Sequence, residues 1–414
     1  MSSDPVGPLG DGGPRLPPPR HDGTRSRRSR PLSRAGDRRL RVAFVGTRGV
    51  PARYGGFETC AEEVSVRLAA RGHDVTVYCR HGNVTTEPSE YQGVRLTYTP
   101  SIESKALSTL THTAASLASA SRQHFDVILV FNAGNAPLFP LARAARQKLV
   151  LNVDGLEWRR GKWGRGAKVY YQGAEWLSTR SVQRIVVDSV AIGDYYERRW
   201  RAASTFIPYG APMIEPKDPD ILKGYDLAPR SYVLMASRLE AENNGLLLLE
   251  AWPSVETDKE LVIVGSANWD SPYVRGLKRA AAGSRVRFLG AVYEPGHYNE
   301  LLCGCCVYVH GNEVGGTNPS LLQAMGAGRC VLALDVDFNR EVGGAAVLYF
   351  RKDKRDLVAQ LNRVLHDEAL VERQGADARA RLAGRYDWDL VADRYEQLLL
   401  DVRAGLIGRS SRRD

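Results

Sequence analysis

At 414 residues, with 43% hydrophobic and 25% charged side chains, the chain has ample apolar material for two packed domains, and it is neither fibrous nor largely disordered. Its net charge of +10 sits at the ends: ten arginines face four aspartates up to Arg41, Arg409–Asp414 contributes +2, and +2 remains for everything between. A body so near neutral offers no continuous basic groove, so nucleic acid is not expected as a partner.

Residues 1–39 hold seven of the 21 prolines and almost no aromatic or β-branched side chains, so they cannot bury enough surface to offset ordering entropy. They read as a disordered basic tail, and residues 409–414 as a second one. Such a tail is ordinarily a solvated extension; its functional alternative is contact with an anionic membrane face. No apolar run is long enough for a secretory signal or a membrane span, and the six cysteines are irregularly spaced. A cytoplasmic protein with reduced thiols is expected, peripheral at the inner face of the membrane if the tail is used.

From Leu40 onward short β-branched runs alternate with helical periods. The strands expected first are 41–45, 75–78, 94–98, 126–131, 149–153 and 185–187. Between the first two, Phe57, Cys60, Ala61, Val64 and Leu68 fall on one helical face. The alternation pauses from Ile207 to Pro229 and resumes with runs at 232–235, 261–264, 286–289, 307–309, 331–334 and 347–350. Alternating strands and helices imply mostly parallel sheets covered on both faces. The expectation is an α/β chain of two Rossmann-like doubly wound domains, residues 40–210 and 211–385, followed by an amphipathic helix at 386–408.

In open α/β sheets ligands bind beyond the carboxyl ends of the strands, so the loops after strands come first. The loop after the first strand contains Gly55, Gly56 and Phe57 and runs into a helix whose N-terminal amides suit a phosphate; its glycine spacing is not that of the dinucleotide fingerprint. A plain Gly-rich turn accounts for it equally well. A second loop, Gly311 to Ser320, places Asn318 as cap and Pro319 as first helical residue, with Gly315 and Gly316 leaving an anion close access to the amides. Gln323 lies just over one turn into that helix, within reach of sugar hydroxyls. The alternative is an ordinary capped helix.

Arg238, just past the strand at 232–235, is placed to pair with a diphosphate and stabilise its departure, though a lone arginine is more often a surface ion-pair partner. After the strand at 149–153 come Asp154, Glu157, Arg159 and Arg160: a carboxylate for an acceptor hydroxyl and guanidinia for a phosphate, or a turn aspartate with solvated neighbours. Cys303, Cys305 and Cys306 lack a second pair at zinc-binding spacing, so packed thiols are expected and no metal. Asp335 and Asp337 read as a plain loop after a strand.

Together, Gly46-Thr47-Arg48-Gly49-Val50-Pro51 with Tyr54 to Glu58, Val153 to Trp158, Ser237-Arg238-Leu239-Glu240 with Glu242-Asn243-Asn244, and Gly315 to Leu322 resemble family-4 glycosyltransferases of GT-B architecture. They closely resemble the bacterial rhamnosyltransferase-like branch, and Asn339 to Val342 also fits. The resemblance implies retaining transfer from a nucleoside-diphosphate sugar to a lipid-linked or glycan acceptor in cell-surface polysaccharide synthesis, without a metal or other cofactor. It assigns the donor mainly to the second domain and the acceptor mainly to the first, with the last helix packing back on the first domain. Asp154, Arg159 and Arg238 become the candidate catalytic residues. Gly55, Gly56, Arg238, Asn243, Glu313, Gly315, Gly316, Thr317, Asn318 and Gln323 become donor-binding, and Phe57, Glu157 and Arg160 acceptor-binding. Two family glutamates align with Gly315 and Gln323, and a family lysine with Asn243, so weaker donor binding is expected. A nucleotide-sugar-binding protein with little or no turnover is the alternative.

Overall fold

The computed structural model describes residues 39–52, 55–83, 86–104, 107–153, 155–159, 164–266, 272–292, 294 and 296–408. The first sheet is built from β1 (Arg41–Val45), β2 (Asp74–Arg80), β3 (Glu90–Tyr91), β4 (Val94–Thr99), β5 (Val127–Phe131), β6 (Leu149–Asn152), β7 (Arg184–Val187) and β8 (Ser204–Phe206). The second holds β9 (Tyr232–Ala236), β10 (Glu260–Val264), β11 (Val286–Gly290), β12 (Val307–His310), β13 (Cys330–Leu334) and β14 (Leu348–Phe350).

The strand orders are β3-β4-β2-β1-β5-β6-β7-β8 and β11-β10-β9-β12-β13-β14, and every pairing is parallel except β3 with β4. Both orders reverse direction at a central strand. The crevices at these switch points lie at the carboxyl ends of β1 and β5 and of β9 and β12.

Alternate residues of each central strand enter different cores. Val42 and Phe44 pack on the face that carries the helix Gly56–Ala70, while Ala43 and Val45 pack on the other. Tyr232 and Leu234 are likewise separated from Val233 and Met235. A strand buried on both faces reads as a continuous apolar run, which is why these strands are visible in the sequence. β3 and β8 were not expected. Each is only two or three residues long at a sheet edge, and Ser204-Thr205-Phe206 is half-exposed with no apolar run to mark it.

The apolar layer under the first sheet continues through Tyr209 to Leu321 and Leu322 of the second, and to Tyr395 and Leu399 of the helix Trp388–Ala404. That helix lies along Gly56–Ala70. Arg67 pairs with Asp389, Arg71 with Asp393 and Glu396, and the buried Asn152 amide donates to the Tyr395 hydroxyl at 2.7 Å. The chain crosses between the sheets twice, and the crossings touch: Ala211 N–H donates to the Tyr386 carbonyl at 2.9 Å.

Candidate active site at the meeting of two helix N-termini

The loops after β9 and β12 are laced together. Asn244, in a left-handed conformation at φ 56°, donates its amide to the Gly311 carbonyl at 2.8 Å, and Glu313 N–H donates to the Glu242 carbonyl at 2.9 Å. Gly311 allows this, since a Cβ there would lie 2.3 Å from the Asn243 carbonyl oxygen. Arg238 stands on this platform, partly exposed, with Glu240 3.4 Å away as its ion-pair partner. Asn243 is buried, and its amide donates to the Arg238 carbonyl at 2.7 Å. Its side chain therefore braces the arginine loop.

Pro319–Gly326 is a helix with Asn318 in the cap position and Pro319 first, but Asn318 makes no side-chain cap hydrogen bond. Its Oδ1 accepts from Asn312 Nδ2 at 3.3 Å, so the residue ties the loop to itself and leaves the first turn uncapped by a side chain. Gln323 is half-buried on this helix. Glu313 pairs with Lys352 at 2.6 Å.

A carboxylate from the first domain reaches the same loop. Asp188, just past β7, is 1% exposed; its Oδ2 accepts the Thr317 N–H at 2.7 Å, and its carbonyl accepts the Thr317 hydroxyl. Gly316 is the residue that admits it, because a Cβ there would lie 2.1 Å from Asp188 Oδ1. The carboxylate against Gly316 and Thr317 in this structure is the chain's own. Next to it, Ser189 Oγ and Val190 N–H donate to the Glu341 carboxylate at 2.9 and 3.0 Å. Asp188 carried no signal in the sequence, since its partner lies 129 residues away.

Gly55, at φ 110°, precedes the helix Gly56–Ala70, and a Cβ on Gly56 would lie 3.7 Å from Pro319 Cγ. The N-termini of a first-domain helix and a second-domain helix thus lie against each other, and the first turn of each has amides with no partner within its helix and the positive end of its dipole. Phe57 is partly buried and packs edge-on to Phe131 at 5.5 Å.

Past β6, Glu157–Arg159 forms a single 3₁₀ turn. Arg159 is exposed, with its guanidinium 5.3 Å from the Trp158 ring. Asp154 and Arg160 lie outside the described residues. Behind the turn sits Glu175, 2% exposed and receiving the Tyr195 hydroxyl at 2.9 Å; burial pushes its carboxyl up to about 7, against the smaller lowering effects of Tyr195, Trp200, Arg159 and Trp158.

The cysteines are free thiols, and burial pushes those of Cys303 and Cys306 up. Among the described residues no group of His, Cys, Asp and Glu could hold a metal ion. Asp335 is bound by Arg340, and Asp337 opens the helix Asp337–Gly343. No described helix is long and apolar enough to cross a membrane.

Residues 39–212 match a family described as a domain of unknown function (DUF1972), and residues 230–367 match glycosyl transferases group 1. A phosphatidyl-myo-inositol mannosyltransferase of Mycolicibacterium smegmatis is 30% identical over 223 residues, which is 50% of this chain and 55% of that protein. The Mycobacterium tuberculosis protein of the same name is 30% identical over 232 residues, 51% and 59% of the two chains. The match therefore spans little more than half the length of these curated relatives. The sucrose-phosphate synthase structure from Thermosynechococcus elongatus superposes with a TM-score of 0.75 at 19% identity, covering 89% of this chain and 100% of that one. Anabaena HepE in complex with UDP gives 0.70 at 17% identity, over 87% and 99%. Two parallel-sheet domains superposing on these structures over nearly their whole length make the fold GT-B.

Proposed function

We propose that the chain is a glycosyltransferase that moves a hexose or deoxyhexose from a nucleoside-diphosphate sugar to a lipid-linked or glycan acceptor. The observation that carries this reading is the meeting of two helix N-termini, at Gly56 and Pro319, with the Arg238 platform tied to the second by the Asn244–Gly311 bond. Such a constellation suits a diphosphate leaving group, whose charge amide dipoles and a guanidinium neutralise without a metal. Arg238 stabilises the departing diphosphate. Arg159, exposed beyond β6, orients the acceptor or donor, and Glu157 lies beside it.

The mannosyltransferase relatives and the UDP-glucose complex of Anabaena HepE support a hexosyl donor. L-Rhamnose is the deoxyhexose to try first. Retention of configuration, a role in polysaccharide assembly and a place at the inner membrane face belong to the same proposal.

The test is purified protein incubated with UDP-glucose, GDP-mannose and dTDP-rhamnose, each with a polyprenyl-diphosphate-linked acceptor. Transfer or donor hydrolysis with one pair is expected, and Arg238→Ala should lower kcat/KM roughly 10²–10³-fold. Silence with every pair counts against transfer. Calorimetric binding of a donor under that silence would favour the second reading, a nucleotide-sugar-binding protein, for which Gln323 in place of a family glutamate is the motive.

A further inference from the structure

The helix Arg165–Ser181 turns Ala174, Glu175, Ser178 and Thr179 inward. Its outward stripe is Arg165, Val169, Gly173, Trp176 and Arg180, at spacings of three and four residues, and all five are exposed. Val169 is 69% exposed and Trp176 45%, two turns apart on this one stripe. Arg180 lies over the Trp176 ring at 4.3 Å. Alongside runs the helix Phe139–Ala144, held by Arg143 Nη1 donating to the Arg180 carbonyl at 3.5 Å; it exposes Leu141 and carries Arg143. Neither helix presents a carboxylate, because the one acidic residue in the two is the buried Glu175.

We propose that this face docks on an anionic lipid bilayer. Each exposed apolar side chain is flanked by a cation, whereas the centre of a protein–protein interface is depleted of charge. Tryptophan beside arginine is the composition that settles at the headgroup level, with the indole toward the acyl chains and the guanidinium on phosphate. The stripe runs some 22 Å along the helix axis, long enough for several headgroups. The docked surface lies on two helices, far along the chain from the Arg-rich tail.

The test is co-sedimentation of the full chain with phosphatidylcholine vesicles, alone and with phosphatidylglycerol added, without donor or acceptor, so that its result is independent of any transferase activity. The expected result is salt-sensitive binding only when phosphatidylglycerol is present, weakened roughly tenfold or more by Val169→Ser with Trp176→Ser and by Arg165→Gln with Arg180→Gln. A full chain with the arginines from Arg15 to Arg38 changed to glutamine should keep its sensitivity to both pairs of substitutions. Brominated lipid should quench the parent more than Trp176→Phe. Thermal melts of the variants check that they fold. Binding that is absent, equal on phosphatidylcholine alone, unchanged by the face variants, or abolished by the tail variant alone would overturn the proposal, as would equal quenching with and without Trp176.

Discussion

Asp188 joins the two halves of the molecule at Thr317, its carboxylate receiving the backbone N–H and its carbonyl the hydroxyl, both residues buried. Removing the acceptor leaves the Thr317 amide unpaired, a loss of about 1–3 kcal/mol, whereas an asparagine oxygen can still receive it. Asp188→Ala should therefore melt several degrees below the parent and raise the donor KM, and Asp188→Asn should stay close to the parent in both; alanine and asparagine variants that melt together would show that the bond does not hold the loop. Glu175 makes a prediction of opposite sign. Burial raises its folded-state value to about 7, above the ordinary carboxylate value it takes when unfolded, so the folded chain holds the proton more tightly. The associated stability is present in acid and is lost as pH climbs from about 4.5 to 7, by ~3 kcal/mol at most. Glu175→Gln should flatten that part of the stability–pH profile and be the more stable protein at pH 8, as urea titrations across pH would report. An unaltered profile would mean that water reaches the carboxyl. Neither residue was legible beforehand: Asp188 sits in an ordinary turn after a strand, and Glu175 looks like any polar helix position until Trp158, Tyr195 and Trp200 close around it.

Elements were far easier to read than the contacts between them. β1, β5, β9 and β12 are buried on both faces over most of their length, so nearly all their side chains are apolar, and that leaves a run visible without any partner. β8 escapes because an edge strand needs neither length nor apolarity, and the cap at Asn318 was placed correctly while its hydrogen bond was not, since the competing partner, Asn312, comes from the loop. Arg238, Gly316 and Asn318 were recognisable as a group only through the family resemblance; their spacing alone does not show that Asn244 stitches their loops together. That stitch is testable at the scale of the two loops. Asn244 combines a left-handed backbone, which costs most side chains about 1–2 kcal/mol, with the bond to Gly311. Asn244→Gly loses the bond but keeps the backbone, and Asn244→Ala loses both. Thermal stability should fall in the order parent, glycine, alanine, with donor affinity following; alanine equal to glycine would show that the backbone conformation carries no weight there.

Two crossings tie the sheets into one molecule, and their packing sets how the halves are held. Gly210 ends the outward crossing directly beneath Trp388, where the returning chain enters the helix that lies on Gly56–Ala70. A Cβ at Gly210 would lie 2.6 Å from Trp388 Cδ2 and 2.9 Å from the Tyr386 carbonyl oxygen, the acceptor of Ala211 N–H. Neither an indole wedged in a core nor a backbone carbonyl can retreat cheaply, because packed interiors accommodate added volume only by shifting backbone. Gly210→Val should therefore part the crossings and cost about 1–3 kcal/mol. The effect should extend beyond the crossing, since Trp388 is followed within two turns by Asp389, Asp393 and Tyr395, which hold the last helix to Arg67, Arg71 and Asn152. Hydrogen exchange should then quicken together in Gly56–Ala70 and Trp388–Ala404, while β9 to β14 keep their protection. Faster exchange confined to Gly210 and its immediate neighbours would mean that the crossings and the returning helix are independent, and that the first sheet is held by its own core alone.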